Sequence, residues 1–399
     1  MTADWFSDAM PGFEKKITEF IEKHLSLFFF IVITLIAFYV RYVGRIFLSP
    51  DMDTFLLPWF EGMKEAGGFK ALNEQMGDYN VLYQTIIAAM TYLPINPMTM
   101  YKSLSCAFDF LMAFVAAEYI CRLKSAPRFG VLFNCVYTVI VMLPTVVINS
   151  ALWGQCDSIY VFFILFALFL LYEDKYVPAF LLYGLAFALK LQAVFALPFF
   201  LACYFVKKKF SIRMFGLTIL SFWASGGIAY IFGRDLLAPF KVYLAQTETY
   251  KSMYLNSRSI WWVFGNEYGD LGTLAIMLAL CGCGLCFYLI LAKKKKMDTP
   301  VTFFNTVVFF FWVCIFFLPD MHERYAYGLD ILLAVLAFLD KKYIKFAAFS
   351  AFLSFMSYAP FIVHANGVGR EDAFIEFFVF IWYAVTIMKE DMKEEAKVL

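Results

Sequence analysis

The polar residues of this 399-residue chain that could do chemistry lie in five short segments between long apolar runs. They include carboxylates, which can take a proton from a hydroxyl group, and cationic side chains, which can bind a phosphate. Ionisable groups at membrane depth or at its boundary are candidate functional residues by default. The segments supply Asp51 and Asp53; Asp78 and Tyr79; Trp153, Gln155 and Asp157; Lys190 and Gln192; and His322, Glu323 and Arg324.

Asp51 and Asp53 are the candidates for a general base. They follow the first apolar run, in the segment Ser-Pro-Asp-Met-Asp at 49–53. An Asp near its reference pKa of about 4 is ionised at neutral pH and can accept the proton of an attacking hydroxyl. One of them could instead cap the next helix. Two carboxylates separated by one residue are less completely explained by a cap, so we favour the base.

The middle segments allow structural interpretations as well as functional ones. Gly-Asp at 77–78 is typical of a turn. Asp157 is expected to cap the helix that follows it, and Trp153 to anchor the chain at the membrane interface. Gln155 has no such structural role and is a candidate contact for a sugar or a phosphate.

The cationic side chains favour an anionic ligand. On the topology derived below, Lys190 lies near the outer face, against the usual distribution of Lys and Arg, so pairing with a phosphate explains it better than snorkelling does. His322 and Arg324 add hydrogen-bond donors or positive charge, whereas Glu323 is expected to pair with Arg324 or another neighbour. No Walker loop or zinc-protease motif occurs in the sequence, so nothing indicates ATP hydrolysis.

The composition indicates which type of secondary structure positions these residues. The chain is 62% hydrophobic and only 16% charged, whereas a soluble domain is about 25% charged. Repeated continuous apolar stretches of about 20 residues predict an all-α polytopic membrane protein rather than a barrel. The net charge of +1 gives no indication of a nucleic-acid partner.

The distribution of Lys and Arg predicts the sidedness. Basic clusters in short connections are cytoplasmic by the positive-inside rule. The apolar segment 81–93 is short and closed by two prolines, so we interpret 45–97 as one long external loop with interfacial helices; a second external loop covers 233–270. Residues 1–24 predict a cytoplasmic amphipathic helix on the membrane surface, followed by a transmembrane domain over 25–399. The twelve predicted spans are 25–44, 98–121, 129–149, 158–173, 177–191, 193–206, 211–232, 271–292, 302–318, 325–339, 344–363 and 372–388.

The motifs, taken in order, resemble those of a known family. Asp51 with Trp59, Asp78-Tyr79-Asn80, Trp153-Gly154-Gln155-x-Asp157, Lys190-x-Gln192 and His322-Glu323-Arg324-Tyr325 are similar to bacterial GT-C glycosyltransferases related to the second GPI mannosyltransferase. They are more distantly similar to the dolichyl-phosphate-glucose-dependent glucosyltransferases of N-glycosylation. The resemblance covers nearly the whole chain, and its specificity lies in the set of motifs.

The resemblance implies an inverting, mannosyltransferase-like hexosyltransferase with a GT-C-like helical bundle. The donor would be a polyprenyl-phosphate-linked sugar, and the acceptor a lipid-linked or cell-surface glycan such as a cell-wall polysaccharide, at the outer face of a bacterial plasma membrane. Asp51 best matches the base and Asp53 is its rival; Asp78 matches the second acidic motif; Lys190, His322 and Arg324 match the donor-phosphate region. No cofactor is required, although a divalent cation held by Asp51 or Asp53 with Asp78 is an open alternative.

A secondary transporter or flippase for lipid-linked saccharides is the alternative function. It predicts polar residues near the bilayer midplane and broken helices in matching halves of the chain. The polar segments here gather at one predicted end and the halves do not match, so we rank the transporter second.

Overall fold

The computed structural model describes residues 10–249, 251–293 and 296–398, and within them the protein is almost entirely α-helical. The α-helices are α1 (Gly12–Gly44), α2 (Leu57–Glu65), α3 (Val81–Met90), α4 (Pro97–Leu123), α5 (Val131–Met142), α6 (Pro144–Val147), α7 (Asp157–Tyr172), α8 (Tyr176–Leu189), α9 (Leu197–Lys207), α10 (Met214–Ala224), α11 (Gly227–Ile231), α12 (Ala238–Thr249), α13 (Gly269–Ala292), α14 (Pro300–Phe317), α15 (Tyr327–Leu339), α16 (Ile344–Ile362) and α17 (Arg370–Val398).

Short irregular elements connect these helices. Two strands of two residues each, β1 (Tyr254–Leu255) and β2 (Met321–His322), pair in parallel. The remaining elements are π-helical turns at Met52–Leu56 and Ile148–Trp153 and 3-10 turns at Gly68–Asn73, Leu191–Ala196, Ile260–Val263 and Lys341–Tyr343.

The chain is an all-α membrane protein, but twelve spans are not confirmed. Among the described residues, five helices are long and apolar enough to cross a membrane, or six if the pair bent by 51° at Pro144 counts as one span. The other apolar helices have 10–17 residues, which is at most about 26 Å of helix against a hydrocarbon core of about 30 Å. The predicted span 211–232 is divided into α10 and α11, because the backbone breaks at Gly226.

The first helix combines two predicted elements. α1 runs from Gly12 to Gly44 without a break, so the predicted surface helix over 1–24 and the first span share one axis through residue 24. Residues 1–9 of that prediction lie outside the described residues. Only 11% of the most apolar window of α1 is buried within the protein, which is expected of a helix whose sides face lipid.

Basic connections meet at one end of the helical bundle. Arg122 forms an ion pair with Glu173 at 2.6 Å, and Lys209 forms one with Asp174 at 2.6 Å. α7 leads away from this end, and its 16 residues separate Asp157 from it by about 24 Å. The candidate site therefore lies at the end opposite the basic connections. That the basic end is cytoplasmic remains a prediction.

α8 and α9 form a hairpin with Lys190 at its tip. Lys190 is extended, with φ −154° and ψ 138°, and this interrupts the helix between Leu189 and the 3-10 turn. The chain then returns, because the Lys207 ammonium donates to the Leu171 carbonyl at 3.1 Å, beside the start of α8. The backbone break explains how a short apolar segment presents one charged side chain at the site end.

A buried charge network fixes the loop before α13 to the bundle. Arg258 donates to Glu376 of α17, at 2.6 Å from Nη2, and to the Ser350 hydroxyl of α16 at 2.7 Å from Nη1. Asp330 of α15 lies 3.6 Å from the same guanidinium, and Trp312 of α14 donates to Glu376 at 2.8 Å. No local sequence pattern predicts this network, because its members are separated by up to 118 residues.

The Arg258 network generates a stability prediction. In Glu376→Gln, the Arg258 charge loses its bidentate partner in a fully buried site, so we expect the free energy of unfolding to fall by about 3–5 kcal/mol. Thermal unfolding in detergent measures this change. Glu371→Gln, an exposed carboxylate on the same helix, is the control; equal melting temperatures for the two variants would contradict the prediction.

Candidate functional site

Most of the predicted site residues line one cavity of about 390 Å³ at the end opposite the basic connections. α2, α3, α7, the α8–α9 hairpin, α12 and the segment before α15 bring them there. The predicted residues in its lining are Asp51, Asp78, Tyr79, Gln155, Lys190, Gln192, His322 and Arg324. Asp53, Trp153, Asp157 and Glu323 do not line this cavity.

Asp51 is held by two side chains. Gln155 Nε2 donates to Asp51 Oδ2 at 2.6 Å, and Arg324 Nη1 lies 3.1 Å from the same oxygen. Asp51 makes no capping hydrogen bond to the turn that follows it. The capping alternative is therefore wrong for Asp51, whose carboxylate faces the cavity.

Asp53 faces away from this cavity. It lies two residues further along the same helical turn, on another side of it, and its side chain is exposed. It lines neither the first cavity nor the second one described below. The two carboxylates that the sequence left as rivals therefore have different surroundings.

The Trp-Gly-Gln segment reaches Asp51 through a tight turn. Gly154 has φ +71°, a left-handed backbone conformation that favours glycine, and a Cβ there would also displace the end of the Met52 side chain. Ser105 donates to the Gln155 carbonyl at 2.6 Å, and the Tyr79 hydroxyl donates to Gln155 Oε1. Gln155 thus connects Tyr79 to Asp51 and holds its amide in one orientation.

Lys190 already has a carboxylate partner. Its ammonium donates to Asp157 Oδ1 at 2.5 Å, and Asn149 donates to Asp157 Oδ2 at 2.8 Å. Asp157 is the first residue of α7 but makes no capping bond, so the capping prediction is wrong: the buried ammonium takes the carboxylate. The prediction that Lys190 pairs with an anionic ligand did not include this internal partner. An ammonium carries three donors, however, and Lys190 still lines the cavity.

The segment 322–324 is a second buried charge cluster. Glu323 accepts from Arg324 Nη1 at 2.6 Å, as predicted, and lies 3.8 Å from His322 Nδ1. Burial is the largest single effect and would raise the pKa of Glu323, but the charges and hydrogen bonds of Arg324 and His322 together outweigh it and lower that pKa to about 2. Burial and the Arg324 charge lower the pKa of His322. His322 is therefore mainly a neutral hydrogen-bonding group at pH 7 rather than a cation.

Arg324 keeps donors for a further ligand. Both of its ion pairs use Nη1. Its Nε is buried and has no hydrogen-bond partner among the described residues. A guanidinium with one unused N–H at a cavity wall is suited to an anionic oxygen.

Trp153 is buried rather than interfacial, so the anchor prediction is wrong. The π-helical turn directs its ring into the bundle, where the ring centroid lies 5.2 Å from that of Tyr358 and 5.3 Å from that of Phe361. It lines a second cavity of about 460 Å³, which Glu323 also lines. Asp51, His322 and Arg324 line both cavities.

Several residues of the first cavity are not among those predicted from the sequence. Gln246 and Thr247 of α12 line it, and the Gln246 amide donates to the Asp78 carbonyl. Partial burial raises the pKa of Asp78. The segment 233–270 had been predicted as a long external loop, and its length and aromatic content were the only signals for these contacts.

Apolar residues complete the first cavity. Its wall includes Phe55, Leu191, Val194 and Ile276. Ile276 is 40% exposed on α13, a helix mostly unburied within the protein. The cavity therefore combines three carboxylates (Asp51, Asp78 and Asp320) and two cationic groups with an apolar wall that reaches α13.

No group of three or more His, Cys, Asp or Glu side chains that could hold a metal ion occurs in the described part of the chain. Asp51 and Asp78 line the same cavity, and the predicted divalent cation stays an open alternative.

Comparisons with known proteins add no identification. No model of a known protein family matches the chain, and no curated protein matches it.

The low pKa of Glu323 predicts a pH-dependent contribution to stability. A carboxyl whose pKa is lowered from 4.5 to about 2 stabilises the fold above about pH 4.5, and this contribution is lost as the pH falls toward 2. The difference in melting temperature between the wild type and Glu323→Gln should therefore be constant above about pH 5 and narrow below it. Glu61→Gln removes an exposed carboxylate and is the control; its difference in melting temperature from the wild type should not change with pH. A difference for Glu323→Gln that is independent of pH would contradict the lowered pKa of Glu323.

Proposed function

We propose that this protein is an inverting membrane glycosyltransferase that moves a hexose from a polyprenyl-phosphate donor to a lipid-linked or cell-surface glycan. The observation that carries the proposal is the position of Asp51. Its carboxylate lies 3.1 Å from Arg324 in a cavity that also contains Lys190 and an apolar wall. A base, phosphate-binding donors and a lipid-compatible surface are what this reaction requires.

The proposed reaction is a single displacement. The acceptor oxygen bonds to C1 of the donor sugar, and its proton passes to Asp51. The bond between C1 and the phosphate oxygen breaks, and the electron pair stays on the polyprenyl phosphate. Lipid phosphate is a good leaving group and needs stabilisation of its charge rather than a general acid.

Paired cations restrict how the phosphate would bind. Lys190 and Arg324 are both neutralised in part by Asp157, Asp51 and Glu323. A phosphate would therefore use the remaining N–H groups of these side chains, such as Arg324 Nε, and would draw Arg324 away from Asp51. That shift would free the Asp51 oxygen that Arg324 contacts, so that it can accept the proton of the acceptor hydroxyl.

The location of the site and the acceptor are also part of the proposal. The site lies at the end opposite the basic connections, which the positive-inside rule assigns to the cytoplasm. We propose that the site faces outward from a bacterial plasma membrane and acts on a cell-surface glycan. Membrane lipids and the two substrates are the proposed partners.

A direct assay tests the function. Purified protein in nanodiscs is incubated with polyprenyl-phosphate mannose, glucose or galactose and a membrane glycolipid extract, and released polyprenyl phosphate is measured by mass spectrometry. Release from one donor, dependent on the extract, is expected. Absence of release from all three would count against the function.

Asp51→Asn is predicted to reduce sugar transfer by at least about 100-fold, because an amide cannot accept the acceptor proton. Asp53→Asn is the matched control, since it makes the same change two residues away on an exposed side chain, and it should keep wild-type activity. If Asp53→Asn is the inactive variant and Asp51→Asn the active one, the assignment of the base is wrong.

The phosphate role of Lys190 is tested by comparing a double variant with a single variant. The double variant Lys190→Gln with Asp157→Asn removes the whole ion pair, whereas Asp157→Asn alone leaves Lys190 available. Polyprenyl phosphate should bind the double variant about tenfold more weakly than Asp157→Asn, because a charge-assisted hydrogen bond is lost. Equal affinities would remove Lys190 from the phosphate site.

A further inference from the structure

The second cavity differs in character from the first. Its volume of about 460 Å³ lies within the range of about 300–1,000 Å³ that is typical of small-molecule sites. Its walls come from β1, the 3-10 turn at Ile260–Val263, β2 and Trp153. Asp51 and Arg324 form the boundary between the two cavities, since both residues line both spaces.

An aromatic pair and two amides shape this cavity. Tyr254 and Trp262 stack with ring centroids 3.9 Å apart and planes 28° from parallel. Trp262 Nε1 donates to the Ser257 carbonyl at 2.8 Å, which fixes its ring. Asn256 and Asn266 also line the cavity, and Asn266 Oδ1 accepts from the backbone of Tyr254 at 2.9 Å.

Trp153 supplies an unused donor. Its side chain is 1% exposed, and Nε1 has no hydrogen-bond partner among the described residues. Leaving a buried N–H without a partner costs about 1–3 kcal/mol. A ligand oxygen in the cavity that Trp153 lines would remove this cost.

We infer that this second cavity binds the saccharide that accepts the transferred sugar, an inference that rests on the proposed function. A fixed aromatic surface suits the C–H face of a pyranose, because the ring face carries negative charge density. The amides and the indole N–H suit its hydroxyl groups. One hydroxyl would then reach Asp51, because Asp51 lines this cavity as well as the first cavity, which would hold the donor. Acceptor and donor in separate cavities that share Asp51 are compatible with inversion, in which the nucleophile and the leaving group lie on opposite sides of the sugar carbon.

Saccharide binding is measured without turnover. Methyl α-D-mannopyranoside, methyl α-D-glucopyranoside and methyl β-D-galactopyranoside are added separately to the full-length protein in nanodiscs, and binding is detected by saturation-transfer difference NMR. At least one should bind the wild type. Trp262→Ala should weaken that binding by about tenfold through loss of the aromatic surface. Phe264→Ala, an exposed aromatic of the same segment outside both cavities, should leave it unchanged.

A second variant distinguishes loss of saccharide binding from loss of folding. Leu255→Trp adds bulk to a side chain that lines the cavity and should abolish saccharide binding while the melting temperature and polyprenyl phosphate binding stay as in the wild type. Binding of none of the three saccharides, or binding that survives Leu255→Trp, would overturn the inference. A different outcome is saccharide binding without sugar transfer from any donor. It would show that the cavity binds sugar but that the proposed function is wrong, and the saccharide would then not be an acceptor.

Discussion

The ion pair between Asp51 and Arg324 is the interaction on which the rest of the site depends. Arg324 is buried, and a buried guanidinium needs carboxylates around it. Asp51 and Glu323 both meet that need through Nη1. This arrangement joins the turn after the first long helix to the segment before α15, and it places a carboxylate where two cavities meet. The Gly154 turn and the hairpin tip at Lys190 then complete the surroundings of that carboxylate.

The same constraint makes the resting site more neutral than a simple phosphate-binding cluster. Each of its cations has a carboxylate partner, Asp157 for Lys190 and Asp51 with Glu323 for Arg324. An anionic ligand must therefore compete with internal pairs. Such competition couples phosphate binding to the contacts of Asp51, because a phosphate that attracts Arg324 also releases the Asp51 oxygen that Arg324 contacts. In the proposed reaction, the donor itself would prepare the base.

The sequence predicted the fold class and the convergence of distant motifs better than it predicted individual partners. The length of the apolar segments and the positions of the basic clusters sufficed to predict an all-α membrane protein. They also predicted that Asp51, Lys190 and Arg324 lie at the same end of it. They could not distinguish Asp51 from Asp53, because that choice depends on which side of one helical turn faces the cavity. The Asp157–Lys190 pair and the Arg258–Glu376 pair were missed for a related reason, since their sequence separations of 33 and 118 residues leave no local pattern. The twelve spans are not confirmed, because several of the apolar helices have only 10–17 residues.

The central claim is that a lipid phosphate binds beside Asp51, in contact with Lys190 and Arg324. An electron cryo-microscopy structure of the protein in nanodiscs with an added polyprenyl phosphate tests it most directly. We predict density for the phosphate within hydrogen-bond distance of Arg324 and Lys190, with the chain along the apolar wall toward α13. Phosphate density at the end of the bundle where Arg122 and Lys209 lie, and none beside Asp51, would contradict the account.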